Sequence, residues 1–175
     1  KHPDYLDLFI AMTGRTPNTG VYLEENRKPN CEIQISLPLT FDESIWPMIG
    51  WLAGYKSPNG IPVLIGLEDI SLSNDDLKAL CAAFGTTSAS PMLHIKGHTP
   101  EGELPSTQDA ISTTIMPNDL LNLWQKFNTG INKIDLVAIG SPHASSAECM
   151  KFLKLLLEKN QTVIVPTILT VGRET

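Results

Sequence analysis

No stretch of this chain comes near the ~20 consecutive apolar residues that span a bilayer, and its 13 Lys and Arg are scattered. The one clustered basic pair is Arg27-Lys28. A basic stripe able to neutralise phosphates is therefore missing, and with a net charge of -6 and a pI near 5.1 a nucleic-acid binder is excluded. Cysteine is sparse: Cys31, Cys81 and Cys149 are odd in number, far apart and form no CxxC. That excludes a disulfide framework and predicts a reducing, cytoplasmic setting. The opening KHPDYLDLF has none of the features of a signal peptide. There is no P-loop, no GxGxxG, no GxSxG and no kinase signature.

What is present reads as a globular α/β domain. The 175 residues are 42% hydrophobic, enough for a substantial core. Strand-like runs alternate with helical ones, which predicts a parallel or mixed sheet with helices packed on it. Helices are expected over 3–12 (mostly buried), from Asp42 to Gly54, over 74–84, 117–127 and 146–159. Strands are expected over 21–23, 31–37, 62–67, 91–95, 110–115, 134–139 and 162–165. The Gly/Pro/Ser-rich stretch 97–108 is a loop or a sub-boundary. The helical run at the very start and the strand-like segment before VGRET suggest a piece of a longer protein.

The most informative segment is IDLVAIG-SPHAS-SAECMKFLKLL, in which an apolar strand runs through a polar turn into an amphipathic helix. Such a turn lies at the carboxyl edge of a parallel sheet, where ligands bind, and at a helix N-terminus, which favours an anion. Ser145-x-x-Glu148 is a capping box and by itself accounts for both residues. It does not account for Ser141 or His143. A protonated imidazole is disfavoured next to the positive end of a helix, so a neutral His143 suits hydrogen bonding or ligand binding.

In MLHIKGHTPE, the strand ends at Gly97 and puts His98 and Thr99 at the tip. The His94/His98 pair spans about 13 Å on a strand, too far to share an ion with ~2 Å ligand bonds unless Gly97 folds the chain back. His94 also suits a hydrogen-bonded sheet position. Arg15, in the loop TGRTPN, suits a carboxylate clamp or plain solvation, and Arg27 after Glu25-Asn26 is similar. Cys81 reads as core, and Cys149 as a thiol in a first helical turn.

Five segments in order, AMTGRTPNTGVYLEENR, GWLAGYKSPNGIPVLIGL, DDLKALCAAFGTTSASPMLHIKGHTPE, VAIGSPHASSAEC and ILTVGR, resemble the catalytic region of the aconitase X family over nearly the whole chain. The resemblance implies an iron-dependent hydro-lyase acting on a small hydroxy acid. The iron would be mononuclear or in an iron–sulfur cluster, with ligands mostly outside this chain. A small swivelling domain or subunit would carry the serine that acts as base. Two branches are implied, one dehydrating cis-3-hydroxy-L-proline and the other mevalonate 5-phosphate.

The second branch commonly has cysteine where this chain has Ser141, in Gly140-Ser141-Pro142-His143. That departure, with KHPDYLDLF and TTSASPMLH, points to the hydroxyproline branch and puts an iron–sulfur ligand at position 141 in doubt. The family usually has an apolar residue at position 98 and often His at position 22, so weight shifts from His98 to His94. The implied catalytic residues are His143 and Ser145, and the implied substrate-binding residues are Ser141, His94, Thr99 and Arg15. No metal ligand is assigned. A non-catalytic α/β binding or subunit-interface domain is the competing reading.

Overall fold

The computed structural model describes residues 4–130, 133–159 and 163–173. It divides into two compact units, residues 1–124 and 125–175. The segment 97–108 lies inside the first.

The first unit is built on a four-stranded parallel sheet in the order β3-β2-β1-β4. The strands are β1 (Cys31–Ile35), β2 (Pro62–Ile65), β3 (His94–Ile95) and β4 (Ile111–Ile115). Strand β1 alternates because only one of its faces meets the helices. Cys31, Ile33 and Ile35 join Leu64, Ile95 and Ile115 in the core. The intervening Glu32 lies on the other face, where it accepts a hydrogen bond from Ser112 Oγ at 3.3 Å.

Helices α2 (Ile45–Lys56) and α3 (Asn74–Thr87) supply Trp46, Ile49, Leu52, Leu80 and Phe84 to the same core. Helix α2 starts later than expected, because Asp42 Oδ1 accepts from the Ser44 amide at 2.9 Å and from its hydroxyl at 2.6 Å, holding a turn ahead of the helix. Gly54 does not end α2. It is buried, and a Cβ there would strike Thr87, while one at Gly50 would strike the Leu80 carbonyl. The two glycines bring the α2 and α3 backbones together. Helix α3 opens with a capping box between Ser73 and Asp76 and runs through Gly85 to Thr87. Cys81, expected in the core, is exposed, one position past buried Leu80.

Helix α1 (Asp4–Thr13) is present, but Tyr5 is 75% and Met12 74% exposed, not buried as its apolar pattern suggested. The expected strand 21–23 is instead a pair of 3-10 turns, Gly20–Tyr22 and Glu24–Arg27. Side chains close these turns: Asn26 Nδ2 donates to the Gly20 carbonyl at 3.0 Å and Arg27 Nε to the Val21 carbonyl at 2.7 Å. Helix α4 (Pro117–Phe127) buries Leu120 and Leu123.

The second unit is a strand–helix–strand. Strands β5 (Val137–Ala144) and β6 (Thr167–Val171) are parallel, joined through α5 (Ser146–Lys159). Here the expectation shifts twice. Residues 140–144 are not a turn but an irregular continuation of β5, with a cis Ser141-Pro142 bond and a break in register between Ile139 and Ala144. Gly140 makes the close strand approach possible: its φ is +107° and a Cβ would strike the Thr170 carbonyl. The last strand falls at 167–171 rather than 162–165 (162 is outside the described residues), after Pro166, whose carbonyl accepts from the Val137 amide at 2.9 Å.

Candidate active-site residues

Strand β5 delivers Ser141 and His143, both exposed, to the end that leads into α5, and Ala144, next along the strand, is buried. The α5 capping box is present in full. Ser145 Oγ accepts from the Glu148 amide at 3.1 Å, and Glu148 Oε2 accepts from the Ser145 amide at 2.7 Å. Ser145 is half-buried. The box satisfies two of the amides near the start of α5, and the remaining first-turn N–H groups lie at the positive end of the helix dipole. Ser141, His143 and Ser145 thus follow one another along a polar strand end that runs into a helix N-terminus.

His94 and Thr99 belong to the first unit. His94 is 3% exposed, and its Nε2 lies 2.8 Å from the Arg27 carbonyl. A carbonyl only accepts, so Nε2 carries the proton, and in the neutral ring Nδ1 is the acceptor nitrogen. His98 makes the same kind of bond, Nε2 donating to the Leu67 carbonyl at 2.8 Å. Thr99 is drawn back onto β3: its hydroxyl accepts from the Ile95 amide at 2.9 Å and donates to the Ile95 carbonyl at 3.2 Å. Arg15 is exposed in the loop after α1, where its amide donates to Thr13 Oγ1 at 3.3 Å.

Arg27 and Arg15, alike in sequence as loop arginines, differ sharply in their surroundings. Arg27 makes a 2.8 Å ion pair with Glu101, alongside its bonds to Val21 and, at 3.5 Å, Tyr22. The Glu101 bond raises the guanidinium pKa against a smaller opposing effect of desolvation. No local signal in the sequence marks this pair, since its members are 74 residues apart. Burial also pushes the Cys31 thiol up, partly offset by a hydrogen bond with Ser57.

Among the described residues, no three of His, Cys, Asp and Glu gather as a metal site would require. These residues alone do not fit an iron centre. Among them, too, no helix is long and apolar enough to cross a membrane.

Residues 27–125 match the family described as the aconitase X second domain. The chain belongs to the aconitase X family. It is 34% identical over its whole length to the cis-3-hydroxy-L-proline dehydratase of Hypocrea jecorina, covering 31% of that protein. It is 30% identical to the phosphomevalonate dehydratase large subunit of Thermococcus kodakarensis, over 95% of this chain and 42% of that one. The crystal structure of Thermococcus kodakaraensis aconitase X in its holo-form superposes with a TM-score of 0.83 at 28% identity, over 95% of this chain and 42% of that one. This aconitase X chain thus spans about a third to two fifths of the length of these relatives.

Proposed function

We propose that the complete protein is a hydro-lyase that dehydrates cis-3-hydroxy-L-proline to Δ1-pyrroline-2-carboxylate. The observation that carries this reading is the 34% identity, over the whole chain, to a protein named for that activity. Serine rather than cysteine in Gly140-Ser141-Pro142-His143 agrees with it. In this reaction the proton alpha to the carboxylate and the beta hydroxyl leave together as water, and the enamine formed tautomerises to the ring imine.

The described residues suit binding and proton handling. The N-terminus of α5, with Ser141 and Ser145, suits the substrate carboxylate. His143 donates to the substrate or orients it, and Ser145 keeps its catalytic assignment beside its capping role. His94, Thr99 and Arg15 are proposed as further substrate contacts, with the His94 Nδ1 as an acceptor. Iron, a small swivelling domain or subunit, and a cytoplasmic location complete the proposal.

A second reading has its own support. Relatives named phosphomevalonate dehydratase large subunit match at 30% identity, which favours mevalonate 5-phosphate as the alternative substrate. The test is to incubate the iron-loaded, full-length protein with each compound and follow dehydration. Turnover of cis-3-hydroxy-L-proline is expected, and turnover of mevalonate 5-phosphate alone overturns the substrate assignment. His143→Ala should lower kcat about a hundredfold or more, as loss of a positioned proton-handling group does. Full turnover by that variant removes His143 from the mechanism.

A further inference from the structure

We infer that Arg27 is a positioning residue, whose guanidinium fixes its own backbone carbonyl against His94 Nε2 and so holds the imidazole in the tautomer that presents Nδ1 as an acceptor.

The contacts form a closed ring. His94 Nε2 donates to the Arg27 carbonyl at 2.8 Å. From the same residue, Nε donates to Val21 O at 2.7 Å and a terminal nitrogen to Tyr22 O at 3.5 Å, pinning the residue to its own 3-10 turns. The other terminal nitrogen reaches Glu101 at 2.8 Å. Glu101 lies in the loop that leaves β3 seven residues after His94, so the chain itself closes the ring. The carbonyl is available because the 3-10 turn ends at Arg27 and Lys28 is already extended. Val63, the β2 partner of His94 in register, is 4% exposed, so the histidine is seated on a buried part of the sheet.

The planar fork of arginine serves three acceptors in fixed directions, which the single ammonium of lysine cannot. The Arg27 side chain therefore sets where the carbonyl sits, and the carbonyl sets the tautomer. The catalytic consequence rests on the reading of His94 as a substrate contact, whereas the tautomer does not.

The test uses full-length protein labelled with 15N at histidine, at a pH where imidazoles are neutral. The His94 signal is assigned by its loss in His94→Gln. In the wild type, the Nδ1 and Nε2 shifts should report the Nε2–H tautomer alone. Arg27→Ala should give a mixture of tautomers, and Arg27→Lys should not restore the wild-type spectrum. Glu101→Ala removes one strut at a loop, serves where Arg27→Ala fails to fold, and should also loosen the tautomer. Glu101→Gln keeps an acceptor and should hold it. In the hydro-lyase assay, the loosened variants should lose up to about a hundredfold in kcat, the order expected from a small misplacement of a reacting group. A pure Nε2–H tautomer in folded Glu101→Ala, or in folded Arg27→Ala, overturns the proposal. Wild-type protein inactive on both substrates would overturn the hydro-lyase reading and leave the tautomer result standing.

Discussion

Residues 4–124 enclose a core in which Ile33, Leu64, Leu80 and Ile95 are fully buried. In the described part of 125–175, Ala144 is the one buried hydrophobic residue, and α5 buries nothing. Both regions carry the same strand–helix–strand grammar and both helices α3 and α5 open with capping boxes. Local sequence therefore specifies a helix equally well in either place. What differs is whether the apolar stripe of the helix has a surface against it. Leu80 and Phe84 of α3 meet α2, whose Gly50 and Gly54 let the backbones approach. On α5, Met150 is 64% and Leu157 70% exposed. Chain continuity alone is enough to put Ser141, His143 and Ser145 on one short segment at the end of β5, so that placement needs no core of their own unit.

Leu64→Ala is the largest expected break in this contrast. Leu64 is fully buried on β2 between β1 and β3. Truncation there should cost about 2–5 kcal/mol, the range for a leucine whose site cannot collapse. Urea unfolding of the 175-residue chain, followed by the fluorescence of Trp46, Trp51 and Trp124, all in the first unit, checks it. A cost under ~1 kcal/mol would mean the sheet is not the packed layer described.

A smaller effect sharpens what the two units share. Ser73→Ala and Ser145→Ala each remove the hydroxyl that accepts an N3 amide, from Asp76 and Glu148 respectively. Each should cost about 1 kcal/mol. Amide hydrogen exchange separates the two, because the loss should appear in α3 for one variant and in α5 for the other. If Ser145→Ala leaves α5 protection unchanged, the cap is carried by Glu148 alone.

How much of this was legible follows the range of the interaction. The boundaries of α4 and α5 and the α5 capping box were readable because Pro117, Ser145 and Glu148 act within a turn of themselves. Alternation in Cys31–Ile35 announced a sheet with one covered face. The misreadings come from longer range. Val21–Leu23 has strand-forming residues, yet the Arg27 side chain takes the Val21 and Tyr22 carbonyls, and Asn26 takes that of Gly20 just ahead, which coils the segment. Gly54 looks like a terminator until α3 is beside it. Of the two apolar runs flanking Pro166, only pairing with β5 selects the second. The His94–Arg27–Glu101 ring joins residues 67 and 74 positions apart, and no periodicity or motif reports that.

Leu157→Ala is the smallest expected effect and the most pointed test of the contrast. The residue is as apolar as Leu64 and sits on a helix with a clear amphipathic pattern, so sequence alone ranks the two alike. Exposed at 70%, it has little area to lose from burial, and alanine is the better helix former. In the 175-residue chain the change should therefore fall within about 0.5 kcal/mol of neutral, read as unchanged hydrogen exchange in α5. A cost of ~2 kcal/mol or more would show that this face is packed in solution, and the difference between the two units would then vanish. The ratio of the Leu64 and Leu157 effects thus measures directly how far packing, rather than patterning, distinguishes the two halves of the chain.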